Sequence, residues 1–187
     1  MAIKIYVDQG HNPINPNAGA EGNGLREQNI TYRIGQELAT LLRADPNFEV
    51  RLSRPSADTQ LGNSLNSSLQ ARVSEANAWG ADYFISLHTN ASEIRSATGT
   101  EAFVYSRAGR AYPLAEDIVR GVTEVTGLPN RGTFVRSGLY VLRKTAMPAV
   151  LLELGFITNP GDAALMNQNP QLFAQGIYQG IKNYTGI

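Results

Sequence analysis

The chain contains no cysteine, which removes disulfides, thiolate metal sites and cysteine nucleophiles together and leaves His and carboxylate as the side chains able to hold a metal. Net charge is absent too. Sixteen Lys and Arg balance sixteen Asp and Glu, so bulk electrostatics favour neither nucleic acid nor an anionic membrane as partner, and no polyanionic substrate is expected. No run approaches the roughly 20 apolar residues of a membrane span, and the N-terminus enters a strand-like pattern without a basic, apolar and small-residue leader. Histidine occurs twice, as His11 and His88. Such scarcity makes their placement informative.

With 187 residues, 42% of them hydrophobic, the chain can bury a full core, and 1–187 reads as one domain. Ile3-Lys4-Ile5-Tyr6-Val7 and Tyr83-Phe84-Ile85-Ser86-Leu87 are strand-like runs that each stop at a histidine: the first leads through Asp8-Gln9-Gly10 to His11, and the second ends on His88. Residues 12–24, rich in Asn, Pro and Gly, read as a loop forming a functional rim. Ile30, Ile34, Leu38, Leu41 and Leu42 recur at helical spacing over 28–42, with turn chemistry at Asp45-Pro46-Asn47 and Glu27 at the helix entrance. Strands are also expected at 48–52 and 100–105, with one or two short ones within 132–143. Helices are expected at 68–79, ending at Gly80, at 114–125 and at 170–184. Pro148 to Leu154 is an apolar run interrupted by Glu153, the pattern of a strand buried on both faces, and Asn159-Pro160 carries a cap and first-turn signal. Strands alternating with helices predict an α/β layered fold with a largely parallel sheet.

In such sheets ligands gather outside the carboxyl ends of strands, so two imidazoles delivered there from distant parts of the chain can converge on one ion. A hydrolytic zinc site keeps three protein ligands and one open position, and two His with a carboxylate is a common set. Its role is to lower the pKa of a bound water from about 16 to about 7. Glu27 is the first candidate for the third ligand and Glu21 the reserve, although a Glu in the first turn also answers simply to the helix dipole. An ionised Glu153 inside an apolar strand costs several kcal/mol unless compensated. A salt bridge with Arg136 or Arg143, a general acid/base role and a fourth ligand position are all open to it. Asp8 and Asn90 flank the histidines as candidates for orienting imidazole or substrate, with Asp8 equally a turn residue. Trp79, Phe84 and Phe103 read as core.

Asp8-Gln9-Gly10-His11, Gly24-Leu25-Arg26-Glu27, Ser86-Leu87-His88-Thr89-Asn90-Ala91 and the segment from Pro148 to Asn159 resemble, in order and spacing, the zinc-dependent N-acetylmuramoyl-L-alanine amidases of the amidase-3 type. The likeness spans essentially the whole chain. It implies a twisted, mostly parallel six-stranded sheet flanked by helices on both faces, a single catalytic domain over 1–187, one Zn2+ held by His11, Glu27 and His88, and Glu153 as catalytic glutamate. The implied reaction cuts the amide between N-acetylmuramic acid and L-alanine of the stem peptide in bacterial peptidoglycan: zinc polarises the carbonyl and its water, and Glu153 moves the water's proton to the leaving amine. It further implies a monomer acting at the cell wall, secreted or released by lysis, whose partners are glycan strands and stem peptides, with no nucleic acid or membrane. The wall-anchoring module or inhibitory helix that relatives often carry is not seen in the sequence. One departure is Asn12, where the family usually has glycine, so the loop over the metal is expected to have its own shape. Two other readings stay open: a zinc peptidase of similar architecture, and a catalytically inert wall-binding module.

Overall fold

The most apolar runs of the sequence become the centre of a sheet, because only there are both faces of a strand covered. A computed structural model describes residues 2–187. Along the chain come β1 (Ile3–Gln9), the short pair β2 (Glu21–Gly22) and β3 (Leu25–Arg26), α1 (Glu27–Ala44), β4 (Phe48–Leu52), α2 (Leu65–Trp79), β5 (Tyr83–Asn90), β6 (Thr100–Val104), α3 (Ala111–Thr126), β7 (Asn130–Val135), α4 (Tyr140–Lys144), β8 (Ala149–Phe156), α5 (Pro160–Gln168) and α6 (Pro170–Thr185). Six strands form one sheet in the order β4-β1-β5-β8-β6-β7. Every pairing in it is parallel except that of β6 with β8, so the sheet is mixed and mostly parallel, as expected.

Side chains alternate between the two faces of each strand. Ile5, Val7, Ile85, Leu87, Val150, Leu152 and Leu154 pack with α1, α3 and α6 on one face; Tyr6, Phe84, Phe103 and Leu151 pack with α2 and α4 on the other. Phe84 and Phe103 are thus core, as read, while Trp79 is partly buried and lies under the cations of Lys4 and Arg51. By the same alternation His88, Glu101 and Glu153 point toward the α2/α4 face.

Several boundaries differ from expectation for local reasons. α2 starts at Leu65, earlier than residue 68, because Ser64 and Ser67 form a reciprocal capping box. The stretch 132–143 yields one strand, β7, followed by the helix α4, which is too short for a 3.6 period to be visible and is held by burial of Val141 and Leu142. The expected loop at 12–24 contains β2, which pairs with β3 as a small antiparallel hairpin. Asn159 caps α5 through Oδ1, accepting from the amides of Gly161 and Asp162, with Pro160 in the first turn.

Candidate functional site

β1 and β5 are neighbours, so their carboxyl ends bring His11 and His88 together, and α1 enters beside them with Glu27 as its first residue. Glu27 Oε1 lies 3.1 Å from both His11 Nε2 and His88 Nδ1, and those two nitrogens are 3.2 Å apart. Around a tetrahedral zinc with bonds of 2.0–2.1 Å, the donor-to-donor edge is about 3.3–3.4 Å. The three residues form a group that could hold a metal ion, and the donor set fits one: two imidazole nitrogens and a carboxylate oxygen face one another at the spacing of a coordination triangle. Glu27 is held from behind. The amide of Thr89 donates to Oε1 and that of Ala20 to Oε2, both at 2.9 Å. Burial alone would raise its pKa, but hydrogen bonds from His11 and His88 outweigh this and hold the carboxyl well below the usual range.

The triad is packed so closely that two glycines are required around it. A Cβ on Gly10 would stand 2.6 Å from His88 Cε1, and one on Gly19 would stand 2.8 Å from Glu27 Oε2 and 2.9 Å from His11 Cδ2. His11 itself has φ 69°, a left-handed conformation that strains a non-glycine residue by about 1–3 kcal/mol. Arg72 holds it there. The guanidinium, buried in α2, donates to the carbonyls of Gln9 and His11, each at 2.7 Å, and to Asp8 Oδ1 at 2.6 Å. The side chain of Asn12, fully buried, ties the loop further by donating to the carbonyls of Pro16 and Leu61 and accepting from Arg72. A glycine at position 12 could make none of these side-chain bonds.

Glu153 stands opposite His88 across the β5–β8 ladder and opposite Glu101 across β8–β6. It makes no ion pair with Arg136 or Arg143; Arg136 instead lies over the Phe103 ring at 4.1 Å. Oε2 of Glu153 is buried and has no hydrogen-bond partner among the described residues. Burial first, then repulsion from Glu27 and Glu101, push the Glu153 carboxyl up to about 8 against a smaller opposing pull from Arg136. Glu101 is compensated from its other side by Arg131 at 2.8 Å and the Asn90 amide at 2.9 Å.

Three sequence candidates take other positions. Glu21, the reserve ligand, is exposed on β2 and pairs with Arg26, away from the triad. Asp8 makes no hydrogen bond to an imidazole: it accepts from Arg72 and from the Ser86 hydroxyl, and these outweigh burial to hold it below the usual carboxylate range. Asn90 steadies Glu101, not a histidine. Arg72, Gly10 and Gly19 went unnoticed in the sequence, where an arginine on a weakly patterned helix and glycines in a polar loop carry no signal of the donor triad they support.

A family model for N-acetylmuramoyl-L-alanine amidase matches residues 5–183. Among curated proteins the chain is 36% identical over 183 residues to the N-acetylmuramoyl-L-alanine amidase CwlM of Bacillus licheniformis and 34% identical over 183 residues to the sporulation-specific N-acetylmuramoyl-L-alanine amidase of Bacillus subtilis. Each match covers 97% of this chain, which spans 66% of either relative. Among solved structures, the catalytic domain of CwlV, an N-acetylmuramoyl-L-alanine amidase from Bacillus (Paenibacillus) polymyxa var. colistinus, superposes with a TM-score of 0.86 at 30% identity, covering 99% of both chains. With the family model spanning nearly the whole fold and the donor triad and Glu153 lying inside the matched region, the chain belongs to the N-acetylmuramoyl-L-alanine amidase family.

Proposed function

We propose that this chain is the catalytic domain of a zinc-dependent peptidoglycan amidase that hydrolyses the amide between the lactyl group of N-acetylmuramic acid and L-alanine of the stem peptide. The observation that carries the reading is the convergence of His11, Glu27 and His88 at 3.1–3.2 Å with Glu153 opposite His88 on the next strand. His11, Glu27 and His88 are the metal ligands and Glu153 is the catalytic acid/base. Zinc bound at the triad supplies Lewis acidity, polarising a carbonyl and acidifying water.

The protein's own part follows from burial and charge. Glu153 sits in a site dry enough to lift its pKa to about 8, and its repulsion from Glu27 would be weakened with a cation held by His11, Glu27 and His88. The carboxylate can then take a proton from the attacking water and return it to the leaving alanine nitrogen, which departs as a neutral amine. Glu101, turned toward Arg131 and Asn90, is occupied and leaves this transfer to Glu153. The strained His11 backbone and the Arg72 clamp fix the imidazole before substrate arrives. The workplace is the bacterial cell wall, and the substrate is glycan strand carrying stem peptides. No helix among the described residues is long and apolar enough to cross a membrane.

Digestion of purified peptidoglycan by the zinc-loaded protein tests this, with Glu153→Ala alongside and products read by mass spectrometry. Expected are glycan bearing free lactyl groups and stem peptides with a new L-alanine N-terminus. Glu153→Ala should keep its zinc and lose turnover by about 10²–10⁴-fold, the usual worth of a positioned acid/base. Cleavage inside the stem peptide would replace the amidase with a peptidase, and full activity in Glu153→Ala would remove Glu153 from the mechanism.

A further inference from the structure

β7 closes one side of the six-stranded sheet and pairs only with β6 among the described residues. An open edge strand invites pairing with another chain, and proteins commonly guard such edges with charge. The opposite edge is guarded in this way, since β4 exposes Glu49 and Arg51. β7 instead exposes Phe134 and Val135, each to 46%. The arginines that flank them are turned onto their own chain, Arg131 to Glu101 at 2.8 Å and Arg136 over the Phe103 ring.

The peptide groups of this edge are oriented for a further strand. The Arg136 amide donates to the Val104 carbonyl at 2.9 Å, and because peptide groups alternate along a strand, those of Thr133 and Val135 face away from β6. The Tyr112 hydroxyl donates to the Thr133 carbonyl at 3.4 Å, which leaves that oxygen a second lone pair. Beside the edge runs a groove of about 320 Å³, with Glu116, Val119 and Arg120 of α3 on one side and Asn130, Gly132 and Thr133 of β7 on the other. Thr133 is the unusual member. Its residue is buried, and its hydroxyl oxygen has no hydrogen-bond partner among the described residues. A buried polar atom left in that state costs about 1–3 kcal/mol.

We infer that this edge is a self-association surface, on which β7 pairs antiparallel with β7 of a second copy about a two-fold axis at Thr133. Such an interface is one patch meeting itself, so the patch must be self-complementary. Thr133 stands opposite the partner's Thr133, where the two hydroxyls can bond as Thr pairs on neighbouring strands do. Phe134, which lies beside Phe103 on the α2/α4 face, falls opposite the partner's Gly132, where no side chain obstructs the ring. On the other face Glu116 and Arg120 are one helical turn apart and of opposite sign. The axis reverses the helix, so each meets its opposite charge in the partner; within its own chain Arg120 pairs only with the exposed neighbour Asp117. An unrelated strand would satisfy the backbone, but only a second copy brings the matching hydroxyl and both charges. The donor triad and Glu153 lie on other strands, and the axis turns the carboxyl ends of β5 in opposite directions, so both sites stay open.

Sedimentation velocity of the full chain over a wide range of concentrations tests this, and a reversible dimer is the expected result. Val135→Pro removes an amide that faces away from β6, so the fold, followed by circular dichroism, should persist while the dimer is lost. Charge reversal gives a test that does not depend on that variant. Glu116→Arg and Arg120→Glu should each weaken the dimer by about tenfold, because like charges then meet across the axis. The double variant should regain it, and a mixture of the two single variants should form a heterodimer more readily than either forms a homodimer. A wild type that stays monomeric at every concentration would overturn the interface and leave the monomer that the family likeness implies. A dimer indifferent to all of these substitutions would place the contact elsewhere and overturn it equally.

Discussion

Glu153 is a carboxyl group that the fold keeps protonated at a pH where it would ionise in water, and this has a cost that can be measured. Its pKa rises from the ordinary 4.5 to about 8 in the metal-free fold, chiefly through burial and then through Glu27 and Glu101. Between those two values the unfolded chain has released the proton while the folded chain retains it, so the native state binds more protons and stability falls as pH rises. Below about pH 4 both states are protonated and the penalty vanishes. Glu153→Gln removes the titration while keeping the shape. In the zinc-free protein, the variant should therefore melt near the wild-type temperature at pH 4 and increasingly above it toward pH 8, as followed by circular dichroism across that range. A gap that is constant with pH would mean that Glu153 is compensated by a group other than those named above. The same residue was legible in the sequence because a lone carboxylate in an apolar strand demands an explanation, as were His11 and His88 at strand ends. Arg72 was not: its importance comes from the carbonyls of Gln9 and His11 that it reaches 63 and 61 residues away.

Among the elements, the strongly periodic helices α1, α3 and α6 and the apolar strands β1, β5 and β8 were all anticipated to within a few residues. The reversal of β6 against β8, the hairpin of β2 with β3 and the helix α4 were not, since each is decided by contacts distant in sequence or spans too few residues to show a period. The closeness of α3 and α6 was equally hidden. These helices meet through Gly121, Gly176 and Gly180: a Cβ on Gly176 would lie 2.5 Å from Val122 Cα, and one on Gly180 would lie 2.7 Å from the Asp117 carbonyl oxygen. Backbone stands on the far side, so no side chain can swing away. An alanine normally favours a helix over glycine by about 1 kcal/mol, but overpacking of this kind costs about 1–3 kcal/mol, and the overlap with rigid backbone places Gly180→Ala toward the upper end. A lower midpoint in urea denaturation, with zinc affinity unchanged, is the expected result. A higher midpoint would show that α6 can shift outward freely and that helix propensity decides the site.

For the molecule as a whole, the three residues proposed as ligands tie together parts of the chain that share no local structure: the end of β1, the start of α1 and the end of β5. Unfolding separates them, so a metal that binds the triad binds the native state almost exclusively, and its free energy of binding becomes stability. At a free zinc concentration a thousandfold above Kd the gain is about 4 kcal/mol. In a domain of this size each kcal/mol moves the melting temperature by about 2–4 °C, so stripping the metal with a chelator should lower it by about 10 °C. Glu27→Ala removes the one carboxylate of the triad and leaves two imidazoles facing each other at 3.2 Å. That variant should melt at nearly the same temperature with zinc and with chelator, whereas Glu153→Ala, which keeps the triad, should retain the full zinc-dependent shift. Differential scanning calorimetry of the three proteins in both conditions distinguishes ligand from acid/base without reference to turnover. An undiminished shift in Glu27→Ala would move the metal away from the triad, and loss of the shift in Glu153→Ala would make Glu153 a ligand.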